Sequence, residues 1–320
     1  MSELDQIAQM INLGISFNHI TKDSAERIMK REYAYNKLME YSSLFDIYTS
    51  TDKAGRFVSL DFSYFYDIAC IDSEVRKIIM VMCLDVEQAL KTIIISDINK
   101  YEWNSSIVSD FVATDSEFIQ NAYSEDNVNV LSQNGLKVKN VGETDLNTFL
   151  EIVSFGTLQR FVKYVYDKKS SDLCESSIRA IEPFLDSIRI LRNAAAHNNA
   201  VLCRISEVAS EKLTLCKNNI IVRAFLGSKG IKHRNLDTNL SRTVISDMCS
   251  LIHSYCKIRP SLNAESTLEH ILSFMKGRCL EHREFYDKNT RLCSVYQFML
   301  NTVEIYLKSL DKCDAICYYK

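Results

Sequence analysis

Residues 72 to 98 repeat apolar side chains at intervals of three and four positions, and this periodicity constrains the fold more than any other feature. The apolar positions are Val75, Ile78, Ile79, Met82, Val86, Ala89, Leu90 and Ile93. Such spacing predicts a long, deeply packed α-helix. The chain also has only 8 Gly and 2 Pro among its 320 residues, against average shares of roughly 7% and 5%. Because few residues favour the tight turns between short strands, we expect an all-α fold.

The segment Arg192-Asn193-Ala194-Ala195-Ala196-His197-Asn198 carries the residues best suited to chemistry. Cleavage of RNA by its own 2′-hydroxyl requires a group with a pKa near ~6.5 to move a proton and a fixed cation to stabilise the phosphorane. We therefore expect Arg192 and His197 to be catalytic. Asn193 lies one turn before His197, where its amide can orient the imidazole or bind a phosphate oxygen. The alternative is that these are ordinary surface or core residues.

A helix through this segment would have one apolar and one cationic side. At about 100° per residue, the apolar side holds Phe184, Ile188, Leu191, Ala195 and Leu202. The other side holds Arg189, Arg192, Asn193, Ala196, His197 and Arg204. We expect the first side to face the core. On the second side, we expect Arg189 to support the catalytic residues and Arg204 to contact RNA.

The ordered motifs of the chain resemble the Abi-like (abortive infection) family of bacterial phage-defence proteins, within the HEPN ribonuclease superfamily. The resemblance covers about 180 positions and departs from the family pattern at Phe149, where a Trp is usual, and at Asn198, where a second His is usual. The matching residues are Leu13-Gly14-Ile15-Ser16, the helix around Ala25, Phe57, Phe62, Tyr66, Asp72-Ser73-Glu74-Val75-Arg76, Glu87, Ala89-Leu90-Lys91, Glu151-Ile152-Val153-Ser154-Phe155-Gly156-Thr157-Leu158 and Leu191-Arg192-Asn193-Ala194-Ala195-Ala196-His197.

This resemblance implies a HEPN-type helical bundle and a metal-independent endoribonuclease with a phage-defence or toxin-like role. It implies that the HEPN Arg and His correspond to Arg192 and His197, and that the acidic helix residue corresponds to Glu87. Within its apolar surroundings, Glu87 is either purely structural or holds the active-site Arg or a neighbouring Asn. It also implies a homodimer with a composite cleft, products with a 2′,3′-cyclic phosphate and a 5′-hydroxyl, and a structured noncoding RNA as a further partner.

Charge is distributed unevenly along the chain. Residues 1 to 200 contain 20 Lys and Arg against 29 Asp and Glu, whereas residues 201 to 320 contain 18 against 12. Within the basic part, the segment 227 to 234 is expected to be a flexible basic loop. Basic clusters bind phosphate backbones, and so we expect RNA contacts at Arg223, Lys229, Lys232 and Arg234. The alternative is an ordinary solvated surface loop.

The sequence predicts two parts, an Abi-like HEPN domain at residues 1 to 205 and a basic helical C-terminal extension at residues 206 to 320. A polar insertion is expected at about 123 to 145. Besides the endoribonuclease, two functions remain open: a noncatalytic protein that holds a structured noncoding RNA, and a protein-interaction module without RNA.

Other patterns exclude several classes of protein. No phosphate-binding loop, dinucleotide fingerprint or zinc-protease motif is present, and we expect no cofactor. Cys249, His253 and Cys256 share a helix face, but a fourth ligand is not evident, and we expect no metal site. Eleven Cys without a CxxC pair, an acidic start and no apolar run of ~18 residues predict a cytoplasmic protein outside the membrane, with reduced thiols.

Overall fold

The computed structural model describes residues 3–50, 52–101, 106–114, 145–168, 177–208, 217–259 and 261–310. These residues form helices with isolated β-bridges and no strand, which confirms the predicted all-α fold. The helices are α1 Glu3–Asn12, α2 Lys22–Arg31, α3 Tyr35–Met39, α4 Phe62–Lys100, α5 Ile107–Thr114, α6 Leu146–Ile152, α7 Phe155–Lys168, α8 Ser177–Ile181, α9 Leu185–Ala196, α10 Lys217–Ser228, α11 His233–Leu240, α12 Thr243–Ile258, α13 Ser261–Lys276 and α14 Thr290–Ser309.

Helix α4 is the longest described element, and the prediction of a long packed helix is confirmed. It begins ten residues earlier than the periodic segment because Asp61 caps it. The Asp61 carboxylate accepts hydrogen bonds from the Ser63 N–H at 3.0 Å and from the Ser16 hydroxyl at 2.8 Å. Burial raises the pKa of Asp61, but hydrogen bonds from Asn18, Ser16 and Ser63 hold it below its ordinary value. The cap thus joins the start of α4 to the segment after α1.

Gly14, in the same segment, has a backbone conformation that side chains rarely adopt. Its φ is +84°, and a Cβ there would lie 3.2 Å from the Cβ of Arg56. Glycine populates positive φ without a steric cost. The Leu13-Gly14-Ile15-Ser16 motif therefore supplies a turn that only glycine makes easily and a hydroxyl for the cap of α4.

Asp72 is a second polar junction on α4, and it is fully buried. One carboxylate oxygen accepts the backbone N–H groups of Val201 at 2.9 Å and Leu202 at 2.6 Å. The other accepts the Tyr41 hydroxyl at 2.9 Å and pairs with Arg76. A single side chain therefore holds the chain that follows α9 against the middle of the bundle.

The C-terminal helices share one hydrophobic core with the N-terminal helices. Buried residues from Ile7 to Tyr306 belong to it, and α12 packs against α4, α9 and α14. The predicted boundary after residue 205 falls within the 3-10 helix Leu202–Ser206. The division into two domains stays a prediction, and the insertion expected at 123 to 145 lies outside the described residues except for Asp145, which caps α6.

An apolar cavity of about 550 Å³ lies between α4, α12, α13 and α14. At one side of it, the Asp67 carboxylate accepts hydrogen bonds from Arg278 and from the Tyr286 hydroxyl, both at 2.7 Å. Further along α4, Asp85 accepts the Tyr255 hydroxyl at 2.8 Å. Polar contacts therefore flank an apolar space between α4 and the last two helices. No helix in the described ranges is long and apolar enough to cross a bilayer.

Replacing Asp72 by Asn should lower the free energy of unfolding by about 3 kcal/mol, because the buried Arg76 would lose its ion-pair partner. Urea unfolding followed by circular dichroism measures this. Glu74→Gln is the matched control, since the Glu74–Lys77 pair is exposed and should contribute little. Equal unfolding free energies for the two variants would contradict the role given to Asp72.

Candidate functional site

Helix α9 carries the Arg192 to His197 motif and ends inside it. The Asn198 N–H donates to the Ala195 carbonyl at 3.2 Å, and the Asn199 N–H donates to the Ala194 carbonyl at 2.9 Å. Asn198 itself has a φ of +52°. This pattern is a Schellman C-cap, in which a residue in the left-handed region ends the helix. Asn tolerates that region better than most residues, and it stands where the family pattern has a second His.

The early end of α9 corrects one prediction. Arg204 does not lie on the cationic side of this helix, because the chain turns at Asn198 and residues 202 to 206 form a separate 3-10 helix. There the Arg204 guanidinium pairs with Glu207 at 3.1 Å. Leu202 is likewise displaced from the apolar side of α9. The remainder of that side faces the core as predicted, with Ile188, Leu191 and Ala195 buried.

Arg192 is half-buried and has few partners. Its Nη1 donates to the Asn193 side chain at 3.4 Å, and its buried Nε has no hydrogen-bond acceptor. Among the described residues no carboxylate forms an ion pair with it. Burial raises the pKa of the neighbouring Cys83 thiol to about 12, although the positive charge of Arg192 opposes this rise. Arg192 is therefore a cation close to α4 that has no carboxylate partner in the described chain.

Glu87 makes a different contact from the one predicted. Its carboxylate pairs with Lys91 one turn later on α4, at 2.9 Å. Its charge adds to the effect of burial in raising the pKa of the Cys83 thiol, one turn earlier on α4. Within the part of the chain that the structure covers, Glu87 forms no ion pair with Arg192 and no hydrogen bond with Asn193. No direct contact with Arg192 or Asn193 therefore supports the predicted role of Glu87.

A polar pocket of about 430 Å³ lies where α9 meets the start of α7. Ser154 caps α7, since its hydroxyl accepts the Thr157 N–H at 3.2 Å. The residues that line the pocket are Ser154, Phe155, Gly156, Thr157, Gln159, Arg160, Asp186, Arg189, Arg192 and Asn193. The structure thus brings the Ser-Phe-Gly-Thr motif together with the arginine motif.

Two side chains at the pocket wall are held by hydrogen bonds. Arg189 pairs with Asp186 at 3.2 Å. A hydrogen bond from Gln159 lowers the pKa of Asp186 below its ordinary value, and the contact with Arg189 adds to this effect. Asp186 is therefore ionised at neutral pH and holds Arg189 at the pocket wall.

His197 lies just beyond the pocket. It is the C-cap of α9, its side chain is exposed, and its N–H donates to the Asn193 carbonyl at 3.0 Å. It does not line the pocket. By helical geometry it continues the face of Arg189 and Asn193 one turn further on. The structure therefore assembles Arg189, Arg192 and Asn193 at one place and sets His197 at its edge.

The basic segment 227 to 234 is not a flexible loop. It forms the end of α10, a short turn with Gly230 at a φ of +98°, and the start of α11. Arg223 pairs with Asp237 at 2.5 Å, and the Lys229 ammonium lies 5.8 Å from the centre of the Phe225 ring. Lys229, Lys232 and Arg234 are exposed. The turn thus presents three cations, while Arg223 is neutralised.

The face of Cys249, His253 and Cys256 is packed into the core. The His253 Nδ1 lies 2.8 Å from the Tyr306 hydroxyl, and burial lowers the pKa of His253 to about 4. Cys249 contacts the sulfur of Met299 at 3.9 Å. In the described ranges no three His, Cys, Asp or Glu side chains lie close enough to hold a metal ion.

The sequence reasoning did not assign any function to Ser154, Gly156 or Arg160. The signal available was the Glu151 to Leu158 motif, which resembles the family pattern without revealing its partner in space. Only the packing of α7 against α9 shows that this motif faces Arg189 and Arg192.

Replacing Asn198 by Val should lower the free energy of unfolding by roughly 1–2 kcal/mol relative to Asn198→Gly, because a β-branched residue is strained at positive φ. Urea unfolding of both variants measures the difference. Glycine fits the left-handed position without strain, and Asn198→Gly therefore serves as the control. Equal stability of the Val and Gly variants would contradict a left-handed cap at this residue.

Comparison with known proteins identifies the family. Residues 28–202, more than half of the chain, match the family described as Abi-like protein. No curated protein and no solved structure matches the chain. The matched range runs from α2 to the 3-10 helix held by Asp72, and it includes both the α7 motif and the arginine motif. The chain belongs to the Abi-like protein family.

Proposed function

We propose that this Abi-like protein is an abortive-infection endoribonuclease of the HEPN type that acts without a metal ion. The observation that carries the proposal is that one helix, α9, carries two side chains suited to this chemistry. One is the exposed imidazole of His197, and the other is Arg192, which has no carboxylate partner in the described chain. Its substrate would be RNA, since the chemistry uses the 2′-hydroxyl as the nucleophile.

The two side chains have complementary roles in this reaction. The 2′-hydroxyl attacks the adjacent phosphorus, and the bond from phosphorus to the 5′-oxygen breaks. His197 moves the proton from the 2′-hydroxyl to the leaving 5′-oxygen. Arg192 stabilises the charge of the phosphorane. The products carry a 2′,3′-cyclic phosphate and a 5′-hydroxyl, so water is not consumed in this step.

A second copy of the chain would complete the proposed site. A twofold axis beside α9 would bring each Arg192 toward the partner's motif. The exposed side of α9 includes Ile190, which is 39% exposed, and the small Ala196. An apolar and small-residue surface suits close approach of a second helix. Because Asn198 replaces the second His of the family pattern, each motif supplies one imidazole, His197.

A noncatalytic RNA-binding protein is the second candidate. The turn between α10 and α11 favours it, because Lys229, Lys232 and Arg234 are exposed there without acidic neighbours in the turn itself. In that case the turn would hold a structured noncoding RNA and α9 would serve as an interface. A protein-interaction module without RNA is the third candidate.

His197→Ala or Arg192→Ala should each lower RNA cleavage by at least ~10²-fold, because one removes the proton carrier and the other the phosphorane cation. Cleavage of a labelled RNA in gels measures this, and EDTA should change the rate little. His270→Ala is the matched control, since His270 is an exposed His on α13.

Mixing the two inactive variants tests the shared site. A mixed dimer regains one intact combination of Arg192 from one subunit and His197 from the other, and cleavage should partly return. Undiminished cleavage by the His197→Ala protein would refute the mechanism. An absence of recovery in the mixture would refute the shared arrangement alone.

Changing Lys229, Lys232 and Arg234 together to Gln should weaken RNA binding if the turn contacts phosphates. The log–log salt slope should then fall by up to about two units, at ~0.7 per single-strand contact. Fluorescence anisotropy at several salt concentrations measures it. Arg223→Gln is a useful comparison, because Arg223 is already paired with Asp237. An unchanged slope in the triple variant would place the RNA elsewhere.

A further inference from the structure

The pocket between α7 and α9 carries more positive than negative charge. Its lining includes the guanidinium groups of Arg189 and Arg192 against one carboxylate, that of Asp186. Like charges gathered in one concave site repel each other, and an anion relieves the repulsion. Arginine favours phosphate because its planar fork donates two hydrogen bonds to one group. The charge of the pocket therefore suits a phosphate group.

Arg192 and the start of α7 offer hydrogen-bond donors to the pocket. Arg192, which also lines the pocket, has no carboxylate partner among the described residues. At the start of α7, the Thr157 N–H is bonded to the Ser154 hydroxyl. The N–H groups of Phe155 and Gly156 precede it in the first turn and have no acceptor within the helix. A bound anion would satisfy these donors.

Gly156 keeps the floor of the pocket free of a side chain. A Cβ at this position would lie 3.7 Å from the Arg189 Cδ, 3.8 Å from the Ser154 Oγ and 4.0 Å from the Arg160 Nη1. These are ordinary contact distances, so alanine fits the fold. Its methyl group would nevertheless occupy the space between the two guanidinium groups, where a ligand would enter.

We infer that this pocket binds an internal phosphate of the RNA strand, next to the phosphate cleaved at His197; the inference rests on the proposed function for its ligand. Arg192 belongs to both sites, because it lines the pocket and stands in the same motif as His197. His197 follows Asn193 by four residues, about 6 Å along the helix axis. This separation is comparable to that of successive phosphates in an extended strand. The pocket would thus fix the register of the strand against the imidazole.

The test is binding of a fluorescent decamer of 2′-O-methyluridine, measured by anisotropy at several salt concentrations. This RNA lacks the nucleophilic hydroxyl and cannot be cleaved, so the result does not depend on catalysis. Arg189→Gln should lower the log–log salt slope by ~0.7. Arg27→Gln, a change of an exposed arginine on α2, should leave the slope unchanged. An unchanged slope in the Arg189→Gln variant would overturn the inference.

Gly156→Ala provides a second test in which no charge is removed. If a phosphate enters the pocket, this variant should bind the decamer more weakly and with a lower salt slope, while its thermal unfolding stays at or above that of the original protein. Wild-type affinity and slope in this variant would overturn the inference, since a general field of positive charge does not depend on a methyl group.

A third comparison identifies the kind of phosphate. Decamers with a 5′-phosphate and with a 5′-hydroxyl should bind equally well to an internal site. A preference for the 5′-phosphate that Arg189→Gln removes would overturn the assignment to an internal phosphate. A protein that binds the decamer as described but leaves ordinary RNA intact would contradict only the proposed ribonuclease activity.

Discussion

The buried Asp72 carboxylate accepts hydrogen bonds from Tyr41, Val201 and Leu202 and pairs with Arg76. A buried carboxylate is unfavourable unless its charge and its lone pairs have partners. Here the partners come from three separate parts of the chain. The segment after α9 therefore has one stable path, and that path determines where the helix carrying His197 ends. The geometry of the candidate site therefore depends on Asp72, which takes no part in the proposed reaction.

The sequence predicted the features that depend on local periodicity. The apolar repeat from Val75 to Ile93 specified α4, and the spacing of Ile188, Leu191 and Ala195 specified the buried side of α9, because helix faces follow directly from residue spacing. The geometry of the end of α9 was not predicted. It depends on the left-handed conformation of Asn198 and on the contact of Val201 with Asp72, 129 residues away, and tertiary contacts of that kind leave no periodic pattern.

The number of charged residues in each part of the chain predicted the binding sites less well than the positions of those residues in the fold. The basic C-terminal part suggested many free cations, yet Arg223 is paired with Asp237 and Arg278 with Asp67. In the acidic N-terminal part, Arg192 has no carboxylate partner within the described ranges. A count of Lys and Arg records total charge, whereas ligand binding depends on the cations whose partners are absent. The pocket beside α7 became visible only when α7 and α9 were brought together in space.

The apolar cavity between α4 and the last two helices affects which helices separate first when the protein partly unfolds. Polar contacts from Asp67 and Asp85 flank that cavity, and apolar packing across it is incomplete. Helices α13 and α14, by contrast, pack closely against each other. Separating this pair from α4 thus forfeits fewer dispersion contacts than separating α9 from α4. The backbone amides of α13 and α14 should therefore exchange hydrogen with solvent through a partial opening that leaves α4 and α9 protected.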